Sequence, residues 1–82
     1  MLEILFFGRV ADVMSMRRLE WPASTEGVSL WALRDQVFAD AVLQGRVELP
    51  LIRMSLNQVV TFENECVKPG DEIAFFSMFS GG

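Results

Sequence analysis

The 82-residue sequence contains no histidine and no tyrosine, and it has a single cysteine, Cys66, and a single lysine, Lys68. Without an imidazole, neither a Ser-His-Asp nor a Cys-His arrangement can be built. One cysteine cannot close an internal disulfide, assemble a structural zinc site or hold an iron-sulfur cluster, and it suits a reducing compartment. No glycine-rich phosphate loop, HExxH pair or EF-hand spacing occurs. No apolar run approaches the ~20 residues of a membrane span. The start Met1-Leu2-Glu3 is acidic where a secretory signal is basic. A net charge of −4, from 11 acidic and 7 basic residues, argues against a nucleic-acid surface. Arg17-Arg18 is the only basic pair and reads as a solvated strand end. These absences lead to the expectation of a cytoplasmic domain with no nucleic-acid or membrane partner. It is expected to bind no cofactor and to act through its surface or its terminus.

What is present fits one small folded unit. Hydrophobic residues make up 51% of the chain and charged residues 22%, too apolar a balance for disorder. The run Ile73-Ala74-Phe75-Phe76-Ser77-Met78-Phe79-Ser80 leads directly into Gly81-Gly82. Two residues without Cβ can extend, adopt either sign of φ and enter a channel that side chains would block. This ending suggests that the reacting atom belongs to a main-chain carboxylate.

Strand-forming residues from Leu2 to Val10 predict a first strand, and Arg17 to Trp21 a second, stopped by Pro22. Thr25 to Gly27 is turn-like, and Ser29 is a plausible helix N-cap. Apolar residues at Leu30, Leu33, Val37, Phe38 and Ala41 recur at helical spacing, with Arg34, Asp35 and Asp40 outward and Gly45 just past the end. Leu51 to Leu56, Val59 to Phe62, Cys66-Val67 and Glu72 to Met78 read as strands, with turns at Asn57-Gln58 and Pro69-Gly70-Asp71. The order ββαβ(β)β implies an α+β roll: a mixed sheet with one main helix on one face, and the first and last strands parallel.

Strand alternation then exposes an anomaly. If Ile4, Phe6, Ile73 and Phe75 face the helix, then Leu5, Phe7, Ala74 and Phe76 face the other way, and Val59 is a candidate to join them. The one helix cannot cover both sides. An apolar face left in water points to an interface, self-association included; coverage by loops or by sheet twist is the alternative. Glu63, Glu65, Asp71 and Glu72 are explained by a solvated edge and a turn, and no acid-base pair stands out. Cys66, between Glu65 and Val67, reads as a small strand residue.

Ile4-Leu5-Phe6-Phe7-Gly8-Arg9-Val10, Leu30-Trp31-Ala32-Leu33-Arg34, Leu56-Asn57-Gln58, Gly70-Asp71-Glu72-Ile73-Ala74-Phe75-Phe76 and Ser80-Gly81-Gly82 occur in this order. Together they resemble the small subunit of molybdopterin synthase over nearly the full length. That resemblance implies a ubiquitin-like β-grasp fold, with residues 1–80 as the domain and 81–82 as a flexible tail. It also implies a sulfur carrier. An adenylating, E1-like enzyme using ATP and magnesium converts the Gly82 carboxylate to an acyl-adenylate, and sulfur displaces AMP to leave a thiocarboxylate. The tail, with Gly81 threading alongside Gly82, then delivers sulfur in the large subunit's active site to a cyclic pyranopterin precursor. By position, Phe7, Val59 and Phe76 fall at the hydrophobic subunit contact. Two copies on a dimer of large subunits form the implied hetero-oligomer. Where the family commonly has two prolines and a valine, this chain has Ser77, Met78 and Phe79, and Met78 and Phe79 enlarge the apolar surface offered to a partner. Two other readings stay open: the related carrier of the thiamine pathway, and a non-carrier β-grasp interaction module.

Overall fold

The computed structural model describes residues 1–22 and 27–77. In chain order these form β1 (Leu2–Phe6), α1 (Gly8–Met14), β2 (Arg18–Trp21), β3 (Val28–Ser29), α2 (Leu30–Val37), α3 (Ala39–Leu43), a 3₁₀ turn (Leu49–Leu51), β4 (Ile52–Leu56), β5 (Val59–Thr61), β6 (Cys66–Val67) and β7 (Glu72–Ser77). Five strands make one sheet in the order β2-β1-β7-β4-β5, and β3 pairs with β6 in a separate two-stranded ladder. β1 and β7 lie at its centre and run parallel, with Ile4 opposite Ile73 and Phe6 opposite Phe75. All other pairings are antiparallel.

Alternation places Leu2, Ile4 and Phe6 of β1, and Ile73 and Phe75 of β7, in the core beneath Leu30, Leu33, Val37 and Phe38. Three phenylalanines lock the layers together. Phe38 meets Phe75 and Phe6 edge-on, with centroids 5.0 and 5.9 Å apart, and Phe6 lies 6.1 Å from Phe75 in a stacked pose. Such pairs add about 0.5–1.5 kcal/mol beyond the area they bury. Ser29 caps α2 as its sequence position predicts, its Oγ accepting the Ala32 N–H at 3.1 Å.

Two expectations are corrected. The strand predicted to reach Val10 ends at Phe6, because Gly8 takes φ +57° and turns the chain into α1. Val10 and Ala11, with Met14 packed against them from one turn later, join the core from that helix. Their strand-forming composition lost to a helical spacing too short to stand out in the sequence. The long predicted helix is also divided. Phe38, with φ −99° and ψ 9°, separates α2 from α3, and this bend coincides with the complete burial of its ring. Gly45 sits past α3 with φ +70°, and the Gly45 and Arg46 amides bond back to Val42 and Ala41.

Candidate functional site

The register defines the second face of the sheet row by row. At one end, Glu3 lies between Glu20 of β2 and Glu72 of β7. Arg18 relieves the like charges by pairing with Glu3 at 2.8 Å. In the middle row, Leu5 lies between Arg18 and Ala74, and Ser55 continues the row to Val60. At the far end Arg53 faces Phe76, and the Phe7 N–H, donated to the Phe75 carbonyl at 3.1 Å, carries the β1–β7 pairing one residue further. The face therefore grades from acidic to apolar along the strands. Its apolar end is the end at which β7 leads toward residue 78.

Burial separates the apolar end of this face from the other side, although Ala74, expected in water, and Ser55 beside it in the middle row are buried. Phe7 is 50% exposed and Phe76 is half-buried, whereas Phe6 and Phe75, one position earlier on the same strands, are enclosed. The Arg53 guanidinium donates to the Pro50 carbonyl at 2.8 Å in an exposed bond, and Arg53 is the register partner of Phe76. Val59 does not share this face. It pairs with Leu56, which lines up with Ile73, so its side chain belongs to the helix-side row at the sheet's edge. Val60 takes the position on the open face that sequence reasoning considered for Val59. The signal was available: a two-residue turn at Asn57-Gln58 makes Leu56 and Val59 register partners, and Leu56 has core parity.

Met78, Phe79, Gly81 and Gly82 lie outside the described residues, as do Thr25 and Glu26 of the predicted turn. The turn residues Asn57 and Gln58 both adopt positive φ, 51° and 72°. Asn57 also joins a clamp at the acidic end. Its side-chain amide donates to Asp71 at 3.1 Å and its carbonyl oxygen accepts the Glu72 N–H at 2.9 Å. The Lys68 N–H donates to the other Asp71 oxygen at 2.8 Å. These bonds, the one from the Lys68 amide foremost, hold the Asp71 carboxyl below its usual range. The clamp fixes the register between β4 and β7, and with it which side chains reach the open face.

Among the described residues, no cluster of three or more His, Cys, Asp or Glu is placed to hold a metal ion. Near Ser77, a cavity of about 290 Å³ between α1 and residues 45–52 is lined by Arg9, Val10, Arg46, Val47 and Glu48, among others. No described helix is long and apolar enough to cross a membrane. What the face offers chemically is recognition: a graded surface beside the exit of the last strand.

No family model and no curated protein matches this chain. Among solved structures it is similar to SAMP1 from Haloferax volcanii, a ubiquitin-like small archaeal modifier. The TM-score is 0.73 at 25% identity, over 99% of this chain and 98% of that one. The fold is therefore α+β, a ubiquitin-like β-grasp of the kind shared with sulfur carriers.

Proposed function

We propose that this chain is the sulfur carrier of molybdopterin synthesis, with the Gly82 carboxylate as the reacting group. The observation that carries the reading is the polarity of the open face. Its apolar end, Phe7 and Phe76, lies where β7 leads on toward Ser80-Gly81-Gly82. A partner seated there receives the tail at the same time, and proximity of this kind replaces catalytic side chains on the carrier. Such side chains are missing from the sequence, which has no histidine.

The chemistry is an adenylyl transfer followed by an acyl transfer. An adenylating enzyme supplies ATP and magnesium. The Gly82 carboxylate attacks the α-phosphorus, and pyrophosphate leaves. A sulfur nucleophile then attacks the acyl-adenylate carbonyl and AMP departs. Hydrosulfide leaves the thiocarboxylate directly, whereas a persulfide leaves an acyl disulfide, from which a second thiol takes the donor sulfur as a disulfide and frees the thiocarboxylate. AMP is the good leaving group that a free carboxylate lacks. The large synthase subunit would bind Leu5, Phe7, Val60 and Phe76 and accept Gly81-Gly82, with Met78 and Phe79 adding apolar contact. The setting proposed is cytoplasmic and the assembly a hetero-oligomer.

The likeness to SAMP1 favours a second reading, a protein modifier. There the activated Gly82 carbonyl acylates an amine, and no sulfur is retained. Intact mass after expression beside the cognate activating enzyme separates the two. Exchange of one oxygen for sulfur at Gly82 is expected of the carrier. Amide-linked conjugates without that exchange would overturn it in favour of the modifier. Appending one residue after Gly82 should abolish the exchange and leave the fold intact.

A further inference from the structure

The two edges of the sheet are built differently. β2 carries Arg18 and Glu20, follows Arg17 and stops at Pro22. Charge and proline of this kind discourage the addition of another strand. β5 has neither. No charge occurs from Met54 to Phe62, and Val59, Val60 and Phe62 are 67%, 53% and 73% exposed.

The backbone shows which groups this edge presents. The Asn57 N–H donates to the Glu72 carbonyl at 2.7 Å, so Asn57 turns its main chain toward β7. Antiparallel alternation then turns Leu56 and Met54 toward β5. Their register partners, Val59 and Thr61, use their main-chain groups on β4. Val60 and Phe62 consequently direct N–H and C=O away from the sheet, and Val60 stands at the middle of the bare edge.

We propose that β5 is a self-pairing edge, at which two copies of this chain join antiparallel about a twofold axis through Val60. In that register each Val60 N–H donates to the Val60 carbonyl of the other copy. Val59 lies opposite Thr61, and Phe62 opposite Gln58. A twofold perpendicular to the sheet keeps every pair on one face, as the side-chain parity requires. Charge permits it as well: Glu63, the first charged residue beyond the strand, falls opposite Asn57 and not opposite a second carboxylate. Two five-stranded sheets thereby become one continuous sheet, and the faces bearing Phe7 and Phe76 stay uncovered on the same side. This pairing does not depend on the sulfur-carrier reading. So short an edge buries less than the ~1,200 Å² of a standard interface, so the dimer is weak and concentration-dependent.

Sedimentation equilibrium of the whole chain, from roughly 10 μM to 1 mM, reads the association. The substitution Val60→Pro removes the outward N–H without taking a β4 bond, and should raise the dissociation constant at least tenfold. Phe76→Asp should change it less than twofold. Amide hydrogen exchange gives a readout that needs no variant: the Val60 amide should become protected as concentration rises. A chain that stays monomeric at 1 mM overturns the proposal. So does a dimer that survives Val60→Pro or forms without protecting Val60.

Discussion

The two faces of the central strands are made from adjacent residues and have opposite fates. Phe6 and Phe75 are enclosed against Phe38, while Phe7 and Phe76, each one position on, meet solvent. Composition cannot explain the contrast, since both pairs are phenylalanine. What separates them is the pleat together with a helical layer that exists on one side only. The covered face is therefore a property of the chain alone. The open face leaves Phe7 and Phe76 to solvent, and its gradient from glutamates to phenylalanines would give the proposed partner a direction.

The sharpest test of this contrast is to truncate one ring on each side. Phe75→Ala should lower stability by about 3–5 kcal/mol in denaturant titrations, since a fully enclosed ring leaves a cavity among Phe6 and Phe38. An equal loss from Phe76→Ala would erase the distinction between the faces. The next effect concerns binding. Phe76→Asp should change stability by about 1 kcal/mol or less. It should weaken capture by the proposed large subunit at least tenfold, or about 1.4 kcal/mol, measured by calorimetry. Folding lost in step with binding would make Phe76 a core residue.

The smallest effect tests what holds the two faces in register. The Asp71 carboxyl is held below its usual range by the Lys68 amide and by Asn57. A group depressed in the folded state stabilises it fully above the unfolded value. That contribution fades as pH falls through the folded one. Stability should thus be insensitive to this group near neutrality and decline below about pH 4. Asp71→Asn should flatten that part of the decline, and an unchanged acid limb would remove Asp71 from the clamp.

Much of this fold was legible from spacing. Ser29 as a cap, the turns at Asn57-Gln58 and Pro69-Gly70-Asp71, the parallel ends and the two-faced strands follow from side-chain chemistry and period. The failures share a cause. Only Gly8-Arg9-Val10 of α1 falls within the predicted strand, because three residues span less than one helical turn, and only the positive φ of Gly8 reveals the change of direction. The bend at Phe38 answers to tertiary packing against Phe6 and Phe75, which no local window contains. At the candidate site, Phe7 and Phe76 came from alternation within strands whose register was implied. Val59 was placed by position, and a one-residue difference moved it to the other side. The bare edge at β5 was not seen at all, because an edge exists only once strand order is known.

The parallel pairing of β1 with β7 also governs when this protein can exist during its synthesis. β7 is inserted between β1 and β4, so without Ser77 and the strand before it the sheet is two separate strand pairs, β1–β2 and β4–β5, with nothing to join them. Isolated two-stranded pairs are marginal in water. The sheet can therefore close only after translation has passed Ser77, and the strand that completes it is also the one that leads on to the residues that follow.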